Sequence, residues 1–343
     1  MTPDFSSIAP GSNYANLIHA DPPIVLGWTG RLFRFGSASV LAPLFRRRRL
    51  VFLLIAKGSV ADEADARELA DDALPFVAAH PQHRFEWICN IDEETATLRA
   101  LGLSAHTHNQ NLFLREEIYR PLAAPREFDA VYNGRLSPEK RNELAASVGR
   151  VAFIAYRDPG EQSVEAFHAA WQALVRLAPQ ARLLNRLTEQ GCQRLTPAEV
   201  NQAYARSAVG LCLSPREGAM RVATEYQLAG LPIVATPCRG GRDHHFDEAS
   251  WRLVPPEAEA VRDGVAAMQR LGLPREWVRA RALARLARDR RRFVDFVQSL
   301  VDQEGGSGRF ESAFDHLRRN DLFERWLPMR EFAAETWAKL GGD

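Results

Sequence analysis

The chain has 343 residues, 46% of them hydrophobic and 25% charged, ordinary fractions for a soluble globular protein long enough for two domains. Lysine and arginine number 44 against 43 aspartates and glutamates, and a net charge of +1 excludes a protein devoted to neutralising nucleic-acid phosphates. No run approaches the ~20 apolar residues of a membrane span.

Residues 1–16 lack a basic start and a long apolar block, so no signal peptide is expected. Cys89, Cys192, Cys212 and Cys238 have no metal-pair spacing and suit reduced thiols, which points to a cytoplasmic protein. Along the first part of the chain, apolar runs rich in β-branched and aromatic residues predict strands at 24–28, 50–56, 84–90 and 103–107. Helical patterns at 62–79 and 92–101 lie between them, each opened by an aspartate that can cap free N–H groups. The pattern restarts after the proline-bearing stretch 121–125. Strands are predicted at 128–133, 151–156, 182–184, 208–213 and 232–235, with helices at 164–177, 197–206 and 219–229. Residues 256–340 read as almost entirely helical. Strand and helix alternating in this way predict an α/β chain of two parallel-sheet domains, with chemistry at the carboxyl ends of strands.

Two segments stand out. Ser214-Pro215-Arg216-Glu217-Gly218-Ala219-Met220-Arg221-Val222-Ala223-Thr224-Glu225 follows a buried-type strand and opens a helix. Eight residues along a helix are about 12 Å, too far apart for a hydrolytic carboxylate pair. Glu217 and Glu225 could instead accept hydroxyls at opposite ends of a nucleotide sugar, with the helix start at Gly218 facing a diphosphate. One capping and one surface carboxylate is the plain alternative. In Asn133-Gly134-Arg135-Leu136-Ser137-Pro138-Glu139-Lys140, a glycine follows a strand and two cations flank a turn, a place where they could neutralise a leaving diphosphate or simply face solvent.

Taken together, Gly134-Arg135-Leu136…Lys140, Glu217…Glu225, Ala229-Gly230-Leu231-Pro232-Ile233-Val234-Ala235-Thr236 and Gly240-Gly241 resemble, in order, the motifs of family 4 glycosyltransferases with the GT-B fold. The resemblance implies two Rossmann-like domains facing a cleft, with an acceptor-side domain at 1–125, a nucleotide-sugar domain at 126–305 and C-terminal helices at 306–343 crossing back to the first domain. It further implies that Arg135 and Lys140 hold the donor diphosphate and Glu225 the ribose, while Glu217 meets the transferred sugar. Backbone groups at Gly134, Gly218, Ala219 and Met220 would face phosphate or sugar. Arg141, where a small residue is usual, and Ala219-Met220, where an aromatic-glycine pair is usual, depart from the pattern.

The first half matches more loosely. Gly30, in the loop after the first predicted strand, could approach a diphosphate. The segment Ser104-Ala105-His106-Thr107-His108-Asn109-Gln110-Asn111 lies at a strand end where related enzymes place a histidine on the donor sugar. One of the two histidines is expected to reach the cleft, His108, nearer the loop, with His106, Asn109 and Asn111 as candidate sugar or acceptor contacts. His244 and His245, beside Asp243 and Asp247, lack a further ligand cluster, so no metal is expected, and no cofactor beyond the nucleotide-sugar co-substrate. The basic stretches 46–49 and 275–292 are candidate membrane-surface contacts at the inner membrane face, or solvated faces packed on a domain. The tail carries Phe314, Leu317, Leu322, Phe323, Trp326 and Leu327, which require a partner surface.

The function this implies is metal-independent transfer of a sugar from a nucleotide-diphosphate donor to a saccharide or lipid-linked hydroxyl. Retention of configuration and a place in surface polysaccharide synthesis follow from the same resemblance. An epimerase or phosphorylase of the same fold, or a silent nucleotide-sugar-binding scaffold, are the alternatives. No nucleic-acid partner is expected.

Overall fold

A computed structural model describes residues 3–30, 33–56, 58–158, 160–319 and 326–342; Leu322 and Phe323 lie outside them. The chain divides into two compact units, residues 1–113 with 287–343 and residues 114–286, so the proline-bearing stretch 121–125 lies inside the second unit.

The first unit begins with strands β1 (Ser12–Ala20) and β2 (Pro23–Trp28), then helix α1 (Ala38–Leu44), β3 (Val51–Ile55), helix α2 (Glu63–Ala79), β4 (Arg84–Cys89), helix α3 (Asp92–Ala100) and β5 (Ala105–Thr107). Strands β2 to β5 pair in parallel in chain order. All five residues of β3 are buried, as befits a parallel strand covered on both faces. Helix α3 does not start on an aspartate cap: Ile91 is the N-cap and Asp92 the first helical residue. The buried Glu94 carboxylate holds that corner instead, accepting from the Asn90 N–H at 2.9 Å and the Ser59 hydroxyl at 2.7 Å.

The second unit contains β6 (Phe128–Arg135), β7 (Val151–Tyr156), helix α4 (Val164–Leu177), β8 (Arg182–Leu183), a small hairpin of β9 (Leu187–Thr188) and β10 (Gly191–Cys192), helix α5 (Pro197–Ala205), β11 (Ser207–Cys212), helix α6 (Arg221–Leu228), β12 (Ile233–Ala235), β13 (Trp251–Leu253) and helix α7 (Ala258–Leu271). Helix α5 carries a complete capping box, Thr196 with Glu199, and Pro197 at its first position. The main sheet runs β13-β12-β11-β6-β7-β8 and every pairing is parallel. The chain therefore winds outward from β6 to β8 on one side, then returns to β11 and winds outward to β13 on the other. The strand order reverses between β6 and β11, and such a switch point leaves a crevice at the carboxyl ends of the two strands. Apolar clusters cover both faces, one around Phe153, Phe167 and Val261, the other around Tyr204, Tyr226 and Leu231. Gly210 on β11 is required by this packing, because a Cβ there would overlap the Tyr226 ring.

Helix α8 (Arg275–Gln303) begins in the second unit and ends in the first. Helix α9 (Phe310–Arg319), β14 (Trp326–Pro328) and helix α10 (Met329–Leu340) complete the first unit. Strand β14 pairs antiparallel with β1, and β1 antiparallel with β2, so the first sheet is β14-β1-β2-β3-β4-β5 with two antiparallel strands at one edge. Neither of these two strands is evident from the sequence: β1 is only half-buried and is interrupted by asparagines and a histidine, and β14 is three residues long. Phe293, Val297, Leu300 and Val301 of α8 cover the sheet face formed by Ile24, Leu26 and Leu53. Among the described residues, no helix is long and apolar enough to cross a membrane.

The arginines of α8 are largely committed to the fold. Arg275 donates to the carbonyls of Ala205 at 3.0 Å and Ser207 at 2.5 Å, and Arg279 to that of Leu228 at 2.7 Å. Arg281 and Arg285 converge on the buried carboxylate of Asp247, and Arg290 caps the Leu112 carbonyl at 2.8 Å.

Candidate functional site

The loops leaving the carboxyl ends of β6 and β11 carry the two motifs. β6 runs through Gly134 and Arg135 rather than ending at Asn133, so both lie within the strand. Gly134 is tight: a Cβ would stand 3.1 Å from the Tyr132 ring. After the strand, Pro138–Lys140 forms a single 3-10 turn, Arg141 takes a left-handed conformation, and a second 3-10 turn spans Asn142–Ala145. The fully buried Tyr132 anchors this loop by donating its hydroxyl to the Lys140 carbonyl at 2.7 Å.

On the other strand, the loop from Leu213 to Met220 is longer than the sequence suggests, and α6 starts at Arg221, not at Gly218 or Ala219. The loop is fastened to the one after β12: the Glu217 N–H donates to the Arg239 carbonyl at 3.0 Å, and the Arg239 N–H to that of Pro215 at 2.9 Å. Glu217 therefore precedes the helix and Glu225 lies within it, so the helical spacing between the two does not apply. Three residues with backbone expected to face phosphate or sugar, Gly218, Ala219 and Met220, occupy the last turn of this loop.

Lys140 and Glu217 meet. The ammonium and carboxylate form an ion pair whose side chains are both 13% exposed. Burial raises the pKa of Tyr132, and the Glu217 charge raises it further. Burial also raises that of Tyr156, the residue in register with Arg135 on β7, with Arg135 and Glu217 acting on it in opposite senses. Arg135 is not brought to Glu217; it pairs with Glu161, and with Glu139 at 3.3 Å.

Glu225 is buried, and its carboxylate accepts from the Tyr204 hydroxyl at 2.9 Å. The Asn133 amide donates to the same hydroxyl oxygen at 2.6 Å, and the Asn133 N–H donates to the Tyr226 hydroxyl at 2.8 Å. A chain of hydrogen bonds thus links the residue before Gly134 to the second glutamate. Tyr204 was not legible as part of the site, since a tyrosine in α5 reads as core.

Arg242 is a second missed residue. It is 1% exposed, yet its guanidinium donates to the carbonyls of Cys212 at 3.0 Å, Ser214 at 3.1 Å and Thr236 at 2.6 Å, and pairs with Asp243. These carbonyls end β11 and β12 and begin the Glu217 loop. The sequence signal is the glycine pair Gly240-Gly241, which sharpens the turn that returns Arg242 beneath the strand ends. The two carboxylates beside His244 and His245 are engaged by cations, Asp243 by Arg242 and Asp247 by Arg281 and Arg285.

In the first unit, His106 and His108 do not diverge. Residues two apart on a strand share a face, and both rings lie on Phe296 of α8, with centroids 4.4 and 4.8 Å away. His106 Nε2 is 2.9 Å from the buried Glu86 carboxylate, which also accepts from Ser104 and Arg84. Burial would raise the Glu86 pKa, but these three partners outweigh it and bring it down to about 2. Burial, aided by neighbouring His106 and Arg292, lowers that of His108 to about 4 against an opposing effect of Asp289. Asn109 and Asn111 are buried in the turn after β5: Asn109 donates to the Asn90 carbonyl at 3.3 Å and its own side-chain carbonyl accepts from the Asn111 N–H at 3.0 Å. Gly30 has room for a side chain, with Asn13 3.5 Å from where a Cβ would stand. The glycine this loop requires is Gly36, at φ +53°, where a Cβ would collide with the Trp28 carbonyl.

No family model and no curated protein matches the chain. Solved structures do. Anabaena HepE in complex with UDP and glucose is similar over 80% of this chain and 77% of its own, at 16% identity and a TM-score of 0.59. The same protein in complex with UDP-glucose gives 15% identity, 74% and 73% coverage, and a TM-score of 0.54. Sucrose-phosphate synthase from Thermosynechococcus elongatus gives 16% identity, 79% and 72% coverage, and a TM-score of 0.51. The chain has the GT-B fold, with two Rossmann-like sheets and a helical C-terminal region.

Proposed function

We propose that the protein is a glycosyltransferase that takes its sugar from a nucleotide-diphosphate donor. The observation that carries this reading is the meeting of Lys140 and Glu217 at the β6–β11 switch point, on a fold shared with a protein crystallised with UDP and UDP-glucose. An ammonium has three N–H donors, so Lys140 can hold Glu217 and still offer two to diphosphate oxygens. Its charge, together with that of Arg135, would stabilise the negative charge that grows on the diphosphate as the bond to the sugar's anomeric carbon breaks. Glu217 would accept hydroxyls of the transferred sugar, and Glu225, oriented by Tyr204, those of the ribose. No metal and no covalent nucleophile enter this scheme, and the attacking hydroxyl belongs to a saccharide or lipid-linked acceptor. Retention of configuration, membership in family 4, a role in surface polysaccharide synthesis and work at the inner membrane face are supported by the motif resemblance alone.

Incubating the chain with a panel of UDP-, GDP- and CDP-sugars and scoring released nucleoside diphosphate tests the proposal. Release with at least one donor, lost in Lys140→Ala, is expected. Tight nucleotide binding without release from any donor would favour a scaffold.

A further inference from the structure

Among the described residues, only two other than glycine have a positive φ: Arg141 at 48° and Met220 at 43°. A Cβ disfavours this left-handed conformation, and neither residue is of the Asn, Asp or Gly type that tolerates it. Met220 is also the N-cap of α6, and its thioether gives no side-chain cap to the helix. The two positions are far apart in the chain but flank one feature. Arg141 directly follows Lys140, and Met220 ends the loop that carries Glu217.

Backbone hydrogen bonds hold Arg141 on both sides and Met220 on its carbonyl side. The Arg141 N–H donates to the Pro138 carbonyl at 3.1 Å, and its carbonyl accepts from Leu144 at 3.1 Å. Met220's carbonyl accepts from Ala223 at 3.0 Å, while its side chain packs against the cluster around Tyr226 and Phe246. The first turn immediately follows Lys140, and the second closes the loop that carries Glu217. Strain of this kind persists where the surrounding structure over-determines the backbone, and it gathers at functional sites.

We propose that Arg141 and Met220 are positioning residues whose left-handed backbone holds Lys140 against Glu217 for catalysis. This rests on the reading of that pair as part of the donor site. Glycine relieves the backbone at such a position and alanine does not, so the two substitutions separate strain from loss of the side chain.

The test uses the full chain with Arg141→Gly, Arg141→Ala, Met220→Gly and Met220→Ala. At each position the glycine variant is expected to melt above the alanine variant, by about 2–4 °C, reversing the order found at ordinary backbone positions. Despite that gain, the glycine variants should turn over about tenfold more slowly than the wild type, with the donor KM within about twofold, since preorganisation rather than binding is lost. Alanine variants melting level with or above glycine variants at both positions would overturn the strain. Glycine variants that melt higher yet keep wild-type kcat would overturn the positioning role. A wild-type chain that releases nucleotide from no donor sinks the reading of the site itself, while the melting order still decides the strain independently.

Discussion

The ammonium of Lys140 and the carboxylate of Glu217 form a largely buried ion pair although 77 residues separate them. They meet because β6 and β11 are neighbours in the sheet and each strand delivers its loop to the same end. Removing one partner leaves the other charge without its counter-ion in a place with little water. A double-mutant cycle with Lys140→Met and Glu217→Gln should give a coupling energy of about 1–3 kcal/mol in chemical denaturation. Turnover by Lys140→Ala should fall by about 10²-fold or more, because the lost charge acts on the departing diphosphate. Wild-type turnover would remove Lys140 from the leaving-group site.

Tyr204 orients Glu225 through a single hydroxyl that also receives the Asn133 amide. Tyr204→Phe keeps the ring and its packing but removes both bonds. Nucleotide affinity measured by calorimetry should weaken about 3–10-fold, with the melting temperature lowered by only a few degrees. Unchanged affinity would show that the carboxylate needs no such support.

Arg242→Met should destabilise the chain by about 2–4 kcal/mol, since three strand-end carbonyls lose a buried charged donor at once. Arg242→Lys should recover part of this, because an ammonium cannot span all three with the geometry of a guanidinium. Urea denaturation measures both, and a loss below about 0.5 kcal/mol in the methionine variant would contradict the assignment.

The parallel architecture of the second unit is legible because its apolar strands alternate with helical patterns at regular spacing. The pairing of Lys140 with Glu217 was legible only as two motifs, since local pattern carries no information about which strands become neighbours. The sequence places the start of α6 at Gly218, which resembles a helix opener, whereas the chain first fastens itself to Arg239 and the helix begins at Arg221. Tyr204, Arg242 and Glu86 carry no sequence signal of their own for one reason: a buried polar residue is identified by its tertiary partners, and sequence spacing does not reveal them. Glu86 lies within the predicted strand 84–90, and its partners His106 and Ser104 come from the neighbouring strand and the residue before it.

Acid should destabilise the protein through two groups that titrate in different ranges. His108 titrates near 4 in the folded chain, below its ordinary 6.5, so the unfolded state binds the proton first and stability declines as pH falls from 6.5 toward 4. Glu86 titrates near 2 rather than 4.5, so its contribution is complete above pH 4.5 and is lost as pH falls toward 2. Glu86→Gln should cost about 2–3 kcal/mol at pH 7. The gap from wild type should close between about pH 4.5 and pH 2. A gap independent of pH would rule out the carboxylate as its source.

Calorimetric titration of the full chain with UDP, GDP and CDP addresses the donor site most directly. At least one should bind with a Kd below about 1 mM. Lys140→Ala and Glu225→Ala should each weaken that binding about tenfold or more, and Glu86→Gln should leave it unchanged. Absence of binding by all three nucleotides, or equal affinity in every variant, would contradict a nucleotide-sugar site at the ends of β6 and β11.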